Sequence, residues 1–234
     1  MINENKRYEI RTSTGYYGRE AIQTHFVQIG EDYIDLVNRY VKPVYCPGDI
    51  LSISEKVISL CQNRVVYKKD MKLSALAKFL SRFASRSDAG IGVDSVWKMQ
   101  YAIDHCGKGK VIWAAICGGI AKLFGKHGVF YDMVGFEVRG LDGFYDHSFR
   151  EYGEFGIEIP LNPSQVCDEI YERTGVVSMI VDANDFTRDI LGKCHMIAYS
   201  AEELAEMIAD NPAGQSAQCT PFILITKTED LTCA

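Results

Sequence analysis

The sequence predicts a mixed α/β fold, and three observations carry the prediction. Residues 176–181, Val-Val-Ser-Met-Ile-Val, form an apolar, largely β-branched run that stops at Asp182, the pattern of a buried strand ending in a polar loop. Segments with strand character alternate along the chain with segments whose apolar residues recur at helical spacing. At 234 residues, 47% hydrophobic and 24% charged, the chain can bury roughly 70% of its unfolded surface without disulfide or structural zinc. One unit is expected, with sub-lobes formed by 1–85 with 160–234 and by an inserted, substrate-facing 86–159.

In chain order, 7–12 and 21–29 carry β-formers and are expected to pair through Gly15-Tyr16-Tyr17-Gly18. Tyr33, Ile34, Leu36, Val37 and Tyr40 mark a helix over 31–41, which Pro43 ends. Cys46-Pro47-Gly48-Asp49 reads as a turn before a strand at 50–54, with 55–60 following it. A short strand at 65–68 precedes a helix over 73–83, whose apolar stripe is Leu73, Leu76, Ala77, Leu80 and Phe83. A glycine-bearing loop, 87–95, leads into a helix over 96–105. Residues 110–116, Lys-Val-Ile-Trp-Ala-Ala-Ile, read as a strand before Cys117-Gly118-Gly119 and a short helix to Phe124. The aromatic segment 125–156 is either a small core under long loops or a flap facing substrate. Asn162, Pro163 and Gly175 bound a helix over 163–174 that delivers the chain into the run at 176–181. A helix over 201–210 is stopped by Asn211-Pro212-Ala213-Gly214, and a last strand is expected at 222–226.

The formal net charge of −6 disfavours a nucleic-acid partner, since phosphate neutralisation needs clustered lysine and arginine. No apolar run approaches 18 residues and MINENKRYEI lacks a signal-peptide core, so no membrane association and a cytoplasmic address are expected. The eight cysteines stand singly, without CxxC spacing, and Cys117 and Cys167 are expected in apolar company. GGIAKLFGKHG is not a P-loop: five residues separate Gly119 from Gly125, and His127 takes the place of the magnesium-binding hydroxyl.

The candidate site residues follow from these placements. Asp182, with Asn184 and Asp185, forms an acidic loop beyond a strand end, suited to a cation or a metal-bound phosphate, or else to turn formation. Lys56 and Ser59 follow a strand and could hold an anion by charge and hydroxyl donation, or be a solvated lysine and a capping serine. Asp94 precedes a helix and serves either as its cap or beside a ligand. His147 is an acid–base candidate or a structural histidine among aromatics.

The ordered pieces GDILSISEKVISL, a GVD loop before a helix, an Asn-Pro-started helix leading into MIVDANDF, and NPAGQSAQCTPFILI together resemble the coenzyme F-420 γ-glutamyl ligase family over residues 44 to about 225. The resemblance implies mixed sheets flanked by helices in an intertwined homodimer. It implies GTP as co-substrate with magnesium or manganese, and attachment of L-glutamate to the carboxylate of the coenzyme F-420 precursor or a related acid. In such a reaction the acceptor carboxylate attacks the γ-phosphate, and the glutamate amine opens the resulting acyl phosphate. Position by position, it implies Asp182, Asp94 and Gln215 as metal ligands, with Lys56 and Ser59 toward phosphate or substrate. The chain departs from the family where Ala183 replaces a threonine and Phe186 replaces an arginine, Arg188 coming two residues later; 107–158 has no clear counterpart. A non-catalytic nucleotide- or metabolite-binding relative is the alternative that these departures raise.

Overall fold

The computed structural model describes residues 7–84, 92–144, 153–183, 188–214 and 218–228. The chain divides into two compact units, Met1–Asn63 with Pro160–Ala234, and Arg64–Ile159. Among the described residues no helix is long and apolar enough to cross a membrane.

The first unit is built on six strands, β1 (Glu9–Thr12), β2 (Gly15–Ile22), β3 (Ile50–Ser54), β7 (Ser178–Ala183), β8 (Arg188–Lys193) and β9 (Phe222–Thr228). Their order across the sheet is β1-β2-β9-β3-β7-β8. Within this sheet β3 and β7 run parallel and the other pairs are antiparallel. Thr12 pairs with Gly15, so Ser13-Thr14 makes the first turn and Gly15-Tyr16-Tyr17-Gly18 lies within β2, a correction to the expected link. Glu206 holds this turn by accepting from the Ser13 backbone N–H and hydroxyl, both at 2.7 Å.

Helix α1 (Tyr33–Leu36) continues as a π-helical segment, Val37–Val41, and begins where the Asp32 carboxylate accepts from Ile34 N–H at 2.7 Å. Asp49 closes the following turn, its carboxylate accepting from Cys46 N–H at 2.9 Å. Helix α2 (Glu55–Cys61) follows β3 directly, and α8 (Pro163–Thr174) ends at Gly175, whose φ of 73° is the left-handed conformation of a helix stop. Asn162 stands at the N-cap position of α8 but makes no side-chain capping bond. In α9 (Ala201–Met207), Ser200 and Glu203 form a reciprocal capping box. The core gathers Leu51, Ile53, Val166, Cys167, Ile170, Met179, Ile180, Leu204 and Phe222. Arg19 is buried in this unit, where its guanidinium donates to Asp210 and to the carbonyls of Arg7 and Met207.

The second unit contains a small sheet ordered β4-β6-β5, from β4 (Val65–Tyr67), β5 (Asp142–Gly143) and β6 (Phe155–Ile157). Its helices are α3 (Ala75–Ser81), α4 (Val96–Cys106), α5 (Lys108–Leu123), α6 (Val129–Val134) and α7 (Phe136–Gly140), with a 3-10 turn at Lys68–Asp70. The expected strand at 110–116 is instead the first half of α5. Its inward positions Val111 and Ala114 are buried, and a Cβ on Gly118 would meet Phe130 Cβ closely, at 3.3 Å. Spacings of three and four residues put all three on one helical face. Buried Phe144 stacks on Trp97 at 6.2 Å, and Phe130 and Tyr131 pack on the same small hydrophobic core, whereas Phe136 is exposed.

Candidate functional site

Three chain segments meet at one edge of the six-stranded sheet. Because β3 and β7 are parallel, their carboxyl ends fall together: Ser54 pairs with Val181, so Glu55 and Lys56 leave β3 where Asp182 follows on β7. On the other side of β3, Ser54 N–H donates to Pro221 O at 2.9 Å, which brings the entry to β9 to the same edge. Just before β9, Thr220 Oγ1 donates to Ala213 O at 3.1 Å. Crevices outside the carboxyl ends of parallel strands are where α/β sheets bind ligands.

The structure corrects one local expectation. Asp182 is not in a loop: β7 runs on to Ala183, and Asp182 pairs directly with Asp189 on β8. Directly opposed residues put their Cβ atoms about 5 Å apart on one face, and like charges so placed repel unless a cation offsets them. An all-oxygen pair of carboxylates suits a hard divalent cation such as magnesium or manganese. The same hairpin sets Arg188 opposite Ala183, returning an arginine to the strand end that Phe186 does not supply.

Lys56 is partly exposed in the first turn of α2, whereas Ser59 is fully buried on its inner face, its Oγ without a hydrogen-bond partner. Ser59 thus faces the interior rather than solvent. Glu55, buried at the same junction, is a carboxylate that sequence reasoning passed over. Asp94 lies in the second unit, two residues before α4, in a turn where Ser95 N–H donates to Gly92 O at 3.0 Å. Ser95 occupies the N-cap position without a side-chain capping bond. Asn184, Asp185, Gln215 and His147 lie outside the described residues.

A second cluster sits at the opposite end of the β7–β8 hairpin. Asp168 of α8, Cys194 and His195 bring one carboxylate oxygen, the thiol sulfur and a ring nitrogen within 4.8 Å of one another. Asp168 Oδ1 accepts from both the backbone N–H and Nδ1 of His195, each at 2.8 Å. The two hydrogen bonds from His195, backbone first, hold the Asp168 carboxyl below its ordinary pKa. Only the adjacent Cys194-His195 pair hints at this cluster in the sequence.

Comparison with models of known protein families finds no match for this chain, and comparison with curated proteins finds none either.

Proposed function

We propose that this chain is a nucleotide- and divalent-metal-dependent ligase that forms an amide between L-glutamate and an acceptor carboxylic acid, with GTP as phosphate donor. The observation that supports it best is the convergence of the β3 end, the β7 end and the β9 entry at one sheet edge, three of the four segments that carry the family resemblance. In this reading Asp182 and Asp189 present carboxylates to magnesium or manganese, and Lys56 lends positive charge to the phosphates. When bound, the metal neutralises charge on the transferring phosphoryl group. The protein's part is positional: the rigid β3–β7 pair fixes Lys56 and Asp182 relative to each other, which such transfer chiefly requires.

Thermal unfolding with GTP and manganese, then ATP and manganese, tests the site. A nucleotide at 100 times its dissociation constant stabilises by about 2.7 kcal/mol, a rise of roughly 5 to 10 °C for a chain of this size. The wild type is expected to shift and Asp182→Asn to lose the shift while keeping its fold. Unchanged nucleotide affinity in that variant would sink the reading. The Ala183 and Phe186 departures favour one competitor, a binding protein without turnover. Phosphate release that depends on glutamate and an acceptor acid excludes that competitor.

A further inference from the structure

We propose that Asp168, Cys194 and His195 form a binding site for a thiophilic divalent cation of the zinc class, separate from the Asp182 edge. The ligand set is the first argument. One thiol, one imidazole and one carboxylate, with ligand atoms within 4.8 Å, match the donors zinc takes, and a thiolate is a poor partner for magnesium or calcium.

The arrangement of protons is the second argument. The Asp168 carboxylate accepts from His195 Nδ1 at 2.8 Å, and the Cys194 sulfur lies within 4.8 Å of both groups. The imidazole proton therefore points at an anionic group beside the sulfur, and a cation can take its place between the same three side chains. On binding, the thiol proton leaves to solvent. The imidazole proton moves from Nδ1 to Nε2, leaving Nδ1 free to ligate, so one proton is released per metal bound.

The frame is already held. Cys194 is fully buried, and its backbone N–H donates to Ser178 O at 2.9 Å while its carbonyl accepts from Ile197 N–H at 3.0 Å. The His195 backbone N–H fixes Asp168, and the His195 ring stands edge-on to Tyr171 at 5.8 Å. The His195 side chain is 58% exposed, so the metal is reached from solvent and a fourth position is open to water. Three protein ligands with one open position is the pattern of a zinc site able to activate water. Cys194 lies beside Ser178, four residues along β7 from Asp182, about 13 Å at the rise of a strand.

The test is cobalt(II) titration of chelator-treated, reduced full-length protein, read by absorption and by proton release. One cobalt per chain, a thiolate-to-cobalt charge-transfer band and one proton released are expected, with zinc abolishing the band by displacement. The band should vanish in Cys194→Ser, and His195→Gln should weaken binding at least tenfold. Because Cys194 is buried and its replacement could unfold the chain, the exposed His195 variant carries the test independently. Asp182→Asn and Cys46→Ser should leave the band unchanged, so failure of the ligase reading does not touch this one. Absence of a sulfur band at saturating cobalt, its persistence in folded Cys194→Ser, or unchanged affinity in His195→Gln would each overturn the proposal.

Discussion

Glu31 stays ionised against the cost of its own partial burial. Desolvation raises its pKa, but hydrogen bonds from Gln28 N–H and the His25 ring outweigh it, and the net displacement is downward. A carboxyl lowered in the folded state contributes stability above its unfolded pKa and loses it as pH falls through the folded value. Urea unfolding should therefore find the wild type losing stability below the ordinary glutamate range. Glu31→Gln should cost about 1–2 kcal/mol at neutral pH and flatten the acid limb. At this scale the sequence was legible where chemistry is local. Asp49 closes the expected turn on backbone three residues away, and Cys167 does lie in the apolar core. It was not legible where contact depends on a returning strand. Asp168 meets His195 only because β8 runs back along β7, and Asp182 meets Asp189 for the same reason.

Gly192 illustrates what an element demands of one position. It lies in β8 where that strand presses on the start of α8, and a Cβ there would sit 2.4 Å from Ser164 N and 2.5 Å from Pro163 C. Both are backbone atoms with no rotamer to escape by. Gly192→Ala should destabilise by about 1–3 kcal/mol or more, measured as a drop in the urea midpoint, whereas Gly30→Ala meets no neighbouring atoms and bears only its positive-φ strain. The sequence read the strand at 50–54 and the helix at 163–174 to the residue, because a turn opens the first and Asn162-Pro163 and Gly175 bound the second. It misread α5 because Val111-Ile112-Trp113 is rich in β-formers, while the burial that decides the matter falls on Val111 and Ala114, one helical step apart. It overlooked β8, whose Arg188-Asp189 start is polar and exposed and whose pairing comes from β7.

At the scale of the whole chain, the first unit is discontinuous, and its two segments are clasped where they part. The Gln62 amide donates to Leu161 O at 3.0 Å and accepts from Leu161 N–H at 2.7 Å. Residues 62 and 161 are therefore neighbours. Replacing 64–159 by a short glycine-serine linker should leave the six-stranded unit folded, since closing a short flexible loop costs little entropy. Circular dichroism with cooperative urea unfolding checks this, and a molten, non-cooperative product would count against it. Each unit holds its own apolar core. The sheet order sets a timetable for synthesis. β9 lies between β2 and β3, and Ile22 finds its partner only at Phe222. At roughly 5–20 residues per second, the β1–β2 hairpin waits about 10 to 40 s on the ribosome with one edge unpaired. During that interval the nascent chain is open to strand exchange with its neighbours, and early chaperone capture would matter more for this hairpin than for any later element of the sheet.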